Sequence, residues 1–406
     1  METPCIQYLE SMKKLRSILE DHGVLKLPVF LFVAVYLLLA SPHYAFSDVN
    51  SDNRITVPLT VRGKPMNFIF DTCSPRSLIT KNAAVKAGIS FEKDPELKEK
   101  TGFIIGVTEK FDFDMLGIDL NAEMGVFDLD RDLMGEYDGI LSWNMFRDTV
   151  LFFDKTLGSV SVHESIPFDV SRWKKFRINR QSPNFGFYVE GDSSGTTIYF
   201  DSGDPSCGIA LVKDEWIRYK ENLGDKRATM NSTTGAYGTY HASEEYWDKS
   251  FNFYGIHFKG IRVKEIEPQH QDTFSGNVAR LGYECLDNLK IMIDGPNDTV
   301  YLKESWLTAL TPFHNMLGAA FIPGRSDNSD RLVARVAKDS PAYEAGLRDD
   351  DVMIRIDDHD FKNWKENTET RKRHTLFRGP EGRAVQIHVL RNGMPLQFKA
   401  VLRSIF

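Results

Sequence analysis

Apolar runs that end in an aspartate are the clearest feature of the hydrophobic pattern. Phe68-Ile69-Phe70 has the aromatic and β-branched content of a buried strand, and the small residues and proline of Thr72 to Pro75 predict a tight turn directly after it. The pattern therefore places Asp71 at the end of a buried strand. The alternative is that its carboxylate only caps the turn by accepting backbone N–H bonds.

The same pattern returns 130 residues later in the chain. The run Ile198-Tyr199-Phe200 is followed by Asp201-Ser202-Gly203, then by small residues and a further apolar run. Downstream of each copy lies a similar pair of apolar strands with a short helix-like segment between them, at 139–162 and at 279–302. The chain therefore contains a duplication of about 110 to 120 residues, and its fold is predicted to be mainly β.

Two aspartates at matching positions of two related lobes can meet on a local twofold axis. Like charges at that distance cannot both ionise, so the pair holds one proton. One carboxylate then acts as a base on a water molecule and the other as an acid on a carbonyl oxygen, which is hydrolysis without a covalent intermediate. Asp71 and Asp201 are the predicted catalytic residues.

These motifs resemble the two-lobed aspartic proteases, in which each lobe carries Asp-Thr/Ser-Gly and, later, two apolar residues followed by Gly. The second lobe matches at Asp201-Ser202-Gly203 and Leu281-Gly282, whereas the first has Asp71-Thr72-Cys73 and Ile140-Leu141-Ser142. The context is most similar to bacterial retropepsin-like proteins with two such lobes and a PDZ module. The resemblance implies duplicated pepsin-like lobes and an aspartic-type endopeptidase acting on polypeptide, whose active-site turns contain Thr72, Cys73, Ser202 and Gly203.

Cys73 and Ser142 stand where the resemblance leads one to expect glycine. Glycine allows torsions and close approaches that a residue with a Cβ does not, so Cys73 predicts a strained pair of turns. Two functions stay open on this evidence. One is an active endopeptidase, and the other is a catalytically inactive peptide-binding or scaffold protein built on the protease fold.

Glycine-flanked aromatic segments lie between the strands of each lobe, at 102–106 and at 235–240. The resemblance places a flap hairpin over the substrate at these positions, and Tyr237 is the flap candidate. Such a hairpin suits a mobile lid that expels water. An ordinary hairpin tip is the alternative.

A different pattern follows the second lobe. In Leu332 to Asp358, a strand leads to Ser340-Pro341-Ala342, which opens a short helix, and an alternating strand follows at Val352 to Ile356. This order resembles a PDZ domain, an α+β module that adds a peptide strand to a sheet edge. Its peptide-binding helix is expected from near Trp364 to before Gly379. Packing on the protease lobes alone is the alternative role.

The peptide-carboxylate loop of this PDZ domain is predicted at Leu317, Gly318 and Ala319, ahead of a strand at 320–323. The expected partner is a C-terminal peptide in the PDZ groove. The chain itself ends with Ser404-Ile405-Phe406, which has the apolar residue and carboxylate of such a ligand. This tail either competes with added peptide or completes the last strand of the domain.

The N-terminal region carries an apolar stretch, Leu27 to Ala40, with basic residues before it. Fourteen residues are short for a membrane-spanning helix and typical of a signal peptide, for which Ala45-Phe46-Ser47 offers a cleavage site. An uncleaved signal anchor, with membrane anchoring through residues 27–46, is the alternative, and a buried core helix is a third. The first two place the domains outside the cytoplasm, either secreted, periplasmic or membrane-anchored.

Composition narrows the function without identifying it. The 406 residues carry a net charge of −7, and the basic residues do not gather on one predicted element, which argues against nucleic-acid binding. Four cysteines do not make a disulfide scaffold, although Cys73 and Cys207 could face each other across the lobes. Neither Cys nor His shows zinc spacing, so no metal and no cofactor are predicted.

The predicted organisation therefore has five parts. The cluster Arg172, Lys174, Lys175, Arg177 and Arg180 lies between the lobes and is expected to be a solvated linker. The predicted boundaries are a signal peptide or signal anchor at 1–50, lobe one at 51–165, the linker at 166–183, lobe two at 184–304 and the PDZ domain at 311–403.

Overall fold

The computed structural model divides into two units, Met1–Tyr44 and Ala45–Phe406, and the fold described below is that of the second unit. The structure describes residues 44–46, 54–115, 118–128, 137–189, 195–205, 207–234, 240–267, 277–305, 314–324, 331–362, 364 and 376–406. A short strand, β1 (Tyr44–Phe46), lies at the boundary between the units. Strands predominate over helices in the described residues, which confirms a mainly β fold.

The first sheet carries Asp71 at the end of one of its inner strands. Its strand order is β5-β6-β9-β4-β10-β3-β2-β7-β8. Helix α1 (Lys81–Ala87) has Thr80 as its N-cap, whose side chain accepts from the Ala83 N–H, and Gly88 as its C-cap. The other elements are β2 (Thr56–Val61), β3 (Lys64–Asp71), β4 (Leu78–Thr80), β5 (Phe91–Lys93), α2 (Pro95–Thr101), β6 (Ile104–Thr108), β7 (Phe111–Met115), β8 (Ile118–Ala122), β9 (Gly125–Phe127) and β10 (Gly139–Ser142).

The second sheet carries Asp201 in the corresponding way and runs in the order β14-β15-β22-β16-β21-β18-β17. Strands β19 and β20 form a separate hairpin. The elements are β14 (Gly186–Tyr188), β15 (Thr197–Asp201), β16 (Ile209–Leu211), α3 (Lys213–Glu221), β17 (Ala228–Thr234), β18 (Tyr240–Asp248), β19 (Phe251–Phe253), β20 (Ile256–Phe258), β21 (Ile261–Glu265) and β22 (Ala279–Gly282).

Each aspartate lies in a parallel strand pair of the same construction. In the first sheet β3 pairs with β10, and Asp71 is opposite Ser142. In the second sheet β15 pairs with β22, and Asp201 is opposite Gly282. Since β10 and β22 begin a long way after β3 and β15, both pairs close long-range contacts, and both deliver an aspartate to the end of a buried strand.

A connecting sheet joins the two halves of this region, one built on the first sheet and the other on the second. It contains β11 (Val150–Asp154), β12 (Ser159–His163), β13 (Lys174–Arg177), β23 (Leu289–Asp294) and β24 (Thr299–Glu304). Within the second unit its order is β12-β11-β23-β24-β13. Strands β11 and β23, one from each half, pair antiparallel with Leu151 opposite Ile293. The two halves therefore share backbone hydrogen bonds as well as side-chain contacts.

The segment expected to be a solvated linker, 166–183, keeps most of its basic side chains exposed, but its middle part forms a strand. Strand β13 lies in this segment and pairs with β24. The sequence pattern misleads because basic residues surround a single apolar one, Phe176, which is 5% exposed and packs with Phe187. Arg177 lies over the ring of Tyr188 at 4.8 Å, so its charge stays at the surface while its stem covers apolar area.

Aromatic side chains from both halves form the core beneath the two aspartates. Phe153 of β11 stacks on Phe70 at 5.9 Å and meets Phe200 edge to face at 5.1 Å, while Phe146 contacts Phe70 at 5.3 Å. Phe70, Phe153 and Phe200 are fully buried. Since Phe70 and Phe200 each immediately precede an aspartate, this packing fixes the ends of both strands at one place.

The C-terminal domain has a hydrophobic core of its own, which includes Leu317, Phe321, Ile356, Val385 and Leu402. Its sheet runs in the order β25-β26-β27-β29-β30, and β28 pairs with β27. The elements are β25 (Ala319–Pro323), β26 (Leu332–Val336), α4 (Pro341–Glu344), β27 (Val352–Ile356), β28 (His359–Asp360), β29 (Ala384–Arg391) and β30 (Met394–Val401).

Candidate active site and peptide-binding loop

The structure brings the carboxyl groups of Asp71 and Asp201 close together. The charge of Asp71 raises the pKa of Asp201, and the turn that follows Asp201 lies against the Asp71 carboxylate at Gly203. Asp71 Oδ1 also accepts from the backbone N–H groups of Cys73 at 2.8 Å and Ser74 at 3.0 Å. Asp201 Oδ1 accepts from the N–H of Gly203 at 3.0 Å. Each carboxylate therefore caps its own turn, as the alternative interpretation expects, and also faces the other.

The two turns lock together through their second residues, Thr72 and Ser202, which are both fully buried. The Thr72 N–H donates to Ser202 Oγ at 3.1 Å, and the Ser202 N–H donates to Thr72 Oγ1 at 3.0 Å. Each hydroxyl then donates across to the other half, Ser202 Oγ to the Phe70 carbonyl at 2.9 Å and Thr72 Oγ1 to the Phe200 carbonyl. This reciprocal clasp fixes the distance between the aspartates.

The environment keeps the pair partly protonated. Burial raises the pKa of Asp71, an effect that the N–H groups of Cys73 and Ser74 oppose. Burial also raises the pKa of Asp201 well above its usual range, and the charge of Asp71 raises it further, while Arg280 acts in the opposite direction. Asp201, with one backbone donor instead of two, is therefore the stronger holder of a shared proton.

Cys73 fits its place without backbone strain. It does not have a positive φ, and neither does Gly203. Its thiol lies 3.6 Å from the Phe200 carbonyl and packs in a small cluster with Cys207, which also has a free thiol. Burial raises the pKa of the Cys73 thiol, and the neighbouring carboxylates Asp201 and Asp71 raise it further, so it remains a protonated, weakly polar group.

The two turns have different needs for glycine. A Cβ on Gly203 would lie 2.5 Å from Cγ of Asp71, so only glycine fits beneath that carboxylate. A Cβ on Gly282 would meet the Cys207 carbonyl at 2.3 Å. Ser142 is the counterpart of Gly282 in the first half, and it is accommodated because its Oγ donates to the Ser74 carbonyl at 2.6 Å. The departures at Cys73 and Ser142 thus have local solutions.

A buried cluster of charges lies beside Asp201. Arg280 Nε is 3.6 Å from Asp201 Oδ2, and Arg280 Nη2 is 2.9 Å from Asp204 and 3.3 Å from Glu267. Lys264 is 1% exposed and pairs with Glu267 at 3.1 Å. Burial alone would raise the pKa of Glu267, but Lys264 and Arg280 outweigh it and hold that pKa below its usual range.

The sequence interpretation missed this cluster, although a signal was present. Arg280 lies between alanine and leucine in β22, so it is a charge inside an apolar strand, whereas Lys264 lies in β21, where apolar and charged residues alternate. Charged residues are seldom fully buried unless they are paired. A search for charges within apolar strands would have found Arg280, and through its partner Glu267 it leads to Lys264.

Parts of the predicted site fall outside the described residues. They are the flap candidate Tyr237 and most of the proposed anchoring segment at 27–46. Among the described residues, no helix is both long and apolar enough to span a membrane. In that same part of the chain, no group of three or more His, Cys, Asp or Glu side chains is arranged to hold a metal ion.

The predicted carboxylate loop forms a tight turn at the start of β25. Gly318 has φ 71°, and a Cβ there would lie 2.3 Å from Ser340, which explains the glycine. The Leu317 carbonyl accepts from the Ala342 N–H at the start of α4. The sequence predicts Ala319 in the loop, but it is the first residue of β25. The expected peptide helix lies largely outside the described residues.

The C-terminal tail continues β30 along the segment before this loop. The Arg403 N–H points to the Met316 carbonyl at 3.4 Å, and the Ile405 N–H donates to His314 Nε2 at 3.1 Å. Phe406 packs on the His314 ring at 4.5 Å. The structure thus favours a tail that completes the domain over one that competes with added peptide.

Comparison with known families agrees with this C-terminal architecture. Residues 316–402 match the PDZ domain family, so the C-terminal domain is a PDZ domain. PDZ domains bind peptides, which makes polypeptide the class of partner. In a comparison with curated proteins, no sequence matches the chain with significance.

The clasp between the turns generates a first prediction. Ser202→Ala removes the acceptor of the Thr72 N–H and the donor to Phe70 in a fully buried place, so we expect a loss of about 1–3 kcal/mol in the free energy of unfolding. Urea denaturation measures it. Ser250→Ala, whose hydroxyl bonds His257 at the surface, is the control and should change stability by less than about 0.5 kcal/mol. Equal midpoints for Ser202→Ala and wild type would show that the clasp contributes little.

Proposed function

We propose that the protein is an aspartic-type endopeptidase whose PDZ domain binds polypeptide. The observation that supports this most directly is the buried clasp between the turns that follow Asp71 and Asp201, which holds the two carboxyl groups close enough to interact. The matching parallel pairs β3–β10 and β15–β22 support two related, pepsin-like lobes. A pair of carboxyl groups that shares one proton has both an acid and a base at the same place.

In the proposed reaction a water molecule lies between the two carboxyl groups and the peptide carbonyl lies next to it. Asp71, which two backbone N–H groups favour as the anion, accepts a proton from the water as its oxygen attacks the carbonyl carbon. Asp201 donates its proton to the carbonyl oxygen. The resulting diol collapses when the C–N bond breaks: Asp201 takes a proton from one hydroxyl, which becomes the new carbonyl, and the proton held by Asp71 passes to the leaving amine. Both carboxyl groups thereby return to their starting states.

The buried charge cluster supports the asymmetry of these roles. Lys264 and Arg280 carry two positive charges, and Asp204 and Glu267 carry two negative ones, so the cluster is neutral without Asp201. Asp201 is therefore free to hold a proton while Arg280 remains paired. Arg280 is positioned to limit, by its charge, how far the pKa of the pair rises.

We also propose that the domains act outside the cytoplasm. The basic residues followed by the apolar stretch Leu27 to Ala40 are the support for this location. Either a cleaved signal peptide or an uncleaved anchor through residues 27–46 gives the same side of the membrane.

A second candidate function is peptide binding without hydrolysis. The observation that favours it is the close approach of Arg280 to Asp201, because a guanidinium beside the pair favours the fully ionised state, which has no acid. The same PDZ domain would then make the protein a scaffold. The two functions differ in whether purified protein cleaves peptides.

The proposed chemistry predicts that Asp71→Asn and Asp201→Asn each lower kcat for peptide cleavage by at least about 100-fold, since each removes one proton-transfer group. The double variant should be little worse than either single one, because the two act as a unit. Cleavage of a peptide library at acid to neutral pH, read by mass spectrometry, measures it.

Asp119→Asn, at an exposed position, is the matched control and should keep full activity. If folded wild type cleaves nothing at any pH, the test is repeated with Cys73→Gly, which restores the glycine of the resembled family. Inactivity of both proteins would leave the peptide-binding function as the one to adopt.

Arg280 gives a prediction about pH. Arg280→Met removes a cation that favours ionised Asp201 and leaves Asp204 and Glu267 with Lys264 alone, and both effects raise the pKa of the pair. We therefore expect both limbs of the profile of kcat/KM against pH to move to higher pH. Arg280→Lys, which keeps a charge, should move them less. An unchanged profile in folded Arg280→Met would separate Arg280 from the chemistry, and circular dichroism checks folding because loss of a buried ion-pair partner is costly.

The proposed location is tested with intact cells that express the full chain. External protease, added after permeabilising an outer membrane where one is present, should digest the PDZ domain while a cytoplasmic marker survives. Deleting residues 13–40 should protect the domain. Full protection of the intact chain, with recovery in the cytoplasmic fraction, would reject export.

A further inference from the structure

The peptide-accepting end of the PDZ domain lies against the second sheet. Strand β25 is at one end of its sheet, and β17 is at one end of the second sheet, and these two end strands pack beside each other. This contact belongs to the PDZ domain and the second sheet, so its consequences do not depend on protease activity.

One side chain, Asn315, fills the peptide-carboxylate loop. Its Oδ1 accepts from the N–H groups of Leu317 at 3.0 Å and Gly318 at 3.2 Å. Its Nδ2 donates to the Ala319 carbonyl at 2.7 Å. A bound peptide accepts hydrogen bonds from the loop N–H groups with its terminal carboxylate and donates its backbone N–H to the strand. The Asn315 amide makes both kinds of hydrogen bond, the first with its oxygen and the second with its NH2 group.

The same residue is bonded to the second sheet. Asn315 Nδ2 also donates to the Met230 carbonyl in β17 at 3.0 Å, and the Thr229 hydroxyl donates to the Asn315 carbonyl at 2.5 Å. Thr229 is 1% exposed, so water does not compete for this bond in the closed arrangement. Asn315 thus joins the loop to the hairpin formed by β17 and β18.

The space between β25 and β17 is too small for a peptide in this arrangement. The cavity bounded by Met230, Glu245, Arg262, Ala319, Phe321 and Arg378 has a volume of about 40 Å³. Ligand pockets typically measure roughly 300–1,000 Å³. Peptide binding to the edge of β25 therefore requires β17 to move away.

The charges around this cavity suit an arriving carboxylate. Burial lowers the pKa of Arg378, and the like charge of Arg262 lowers it further, whereas Glu245 opposes this. Arg262 already pairs with Glu284. A carboxylate that replaced the neutral amide of Asn315 would bring a negative charge close to a partly buried guanidinium that is repelled by its neighbour.

We propose that Asn315 gates the PDZ domain: it occupies the carboxylate loop, and a peptide with a free C-terminal carboxylate binds by displacing it and releasing the hairpin β17–β18. The contact makes binding selective, since a ligand that binds too weakly to open it is excluded. The observed affinity is reduced by the fraction of molecules in which the loop is closed.

The test uses the folded full-length chain and a pool of heptapeptides whose last four positions are randomised, with free or amidated C-termini. Asn315→Ala should capture free-acid peptides with about tenfold higher affinity than wild type, because it removes the two hydrogen bonds to the loop N–H groups that compete with the peptide carboxylate. Thr229→Val weakens the closed state from the other side and should also raise affinity. Asn121→Ala is the matched control, because its amide bonds Asp112 at the surface of the first sheet. Its affinity for the peptides should equal that of wild type.

A second measurement reports the release directly. Addition of the captured peptides to wild type should increase hydrogen–deuterium exchange in 228–234 and 240–248, while amidated peptides should not. Equal capture by wild type, Asn315→Ala and Thr229→Val would overturn the proposal, as would unchanged exchange in the hairpin at saturating peptide. Because peptide capture is read without cleavage, failure here is distinguishable from failure of the proposed enzymatic activity.

Discussion

The reciprocal hydrogen bonds between Thr72 and Ser202 are the constraint on which the arrangement of the aspartates depends. Both residues are fully buried, so an unmade bond would leave a polar group without water, at a cost of about 1–3 kcal/mol. Their carbonyl partners, Phe70 and Phe200, belong to the strands that the aromatic core already holds. Core packing sets the strand ends, the clasp sets the turns, and the turns place the carboxyl groups.

Electrostatics then decides what these carboxyl groups can do. Burial disfavours the charge of both, and the proximity of Asp71 and Asp201 disfavours two charges together, so the pair retains a proton above the pH at which isolated carboxyl groups lose it. Arg280 opposes this from one side only. Because Asp204 and Glu267 already balance the buried cations, that opposition is weaker than it would be for an unpaired guanidinium.

Sequence reasoning succeeded where the signal was local. An apolar run followed by Asp and small residues predicts a strand that ends in a turn, and Asp71 and Asp201 both lie there. It failed for the segment around Phe176, because one apolar residue among basic ones gives no detectable period although its backbone completes a sheet. The strain expected at Cys73 followed from a family pattern, while the space that admits its thiol depends on distant residues such as Cys207. Arg280 and Asn315 were missed because the bonds that give them their roles, from Arg280 to Asp204 and from Asn315 to the second sheet, join residues far apart in the chain.

The strands of the second sheet connect the aspartate pair to the peptide-carboxylate loop of the PDZ domain. Asp201 ends β15, which pairs with β22, and the sheet continues through β16, β21 and β18 to β17, where Thr229 and Met230 contact Asn315. Release of the hairpin β17–β18 breaks the backbone hydrogen bonds between β18 and β21, while the strands beyond β21 keep the aspartates in place. Release of the hairpin is therefore compatible with an intact clasp, since the bonds that hold Thr72 and Ser202 lie at the opposite side of the sheet. Coupling between these regions requires an element with two arrangements, which the proposed opening at Asn315 would supply.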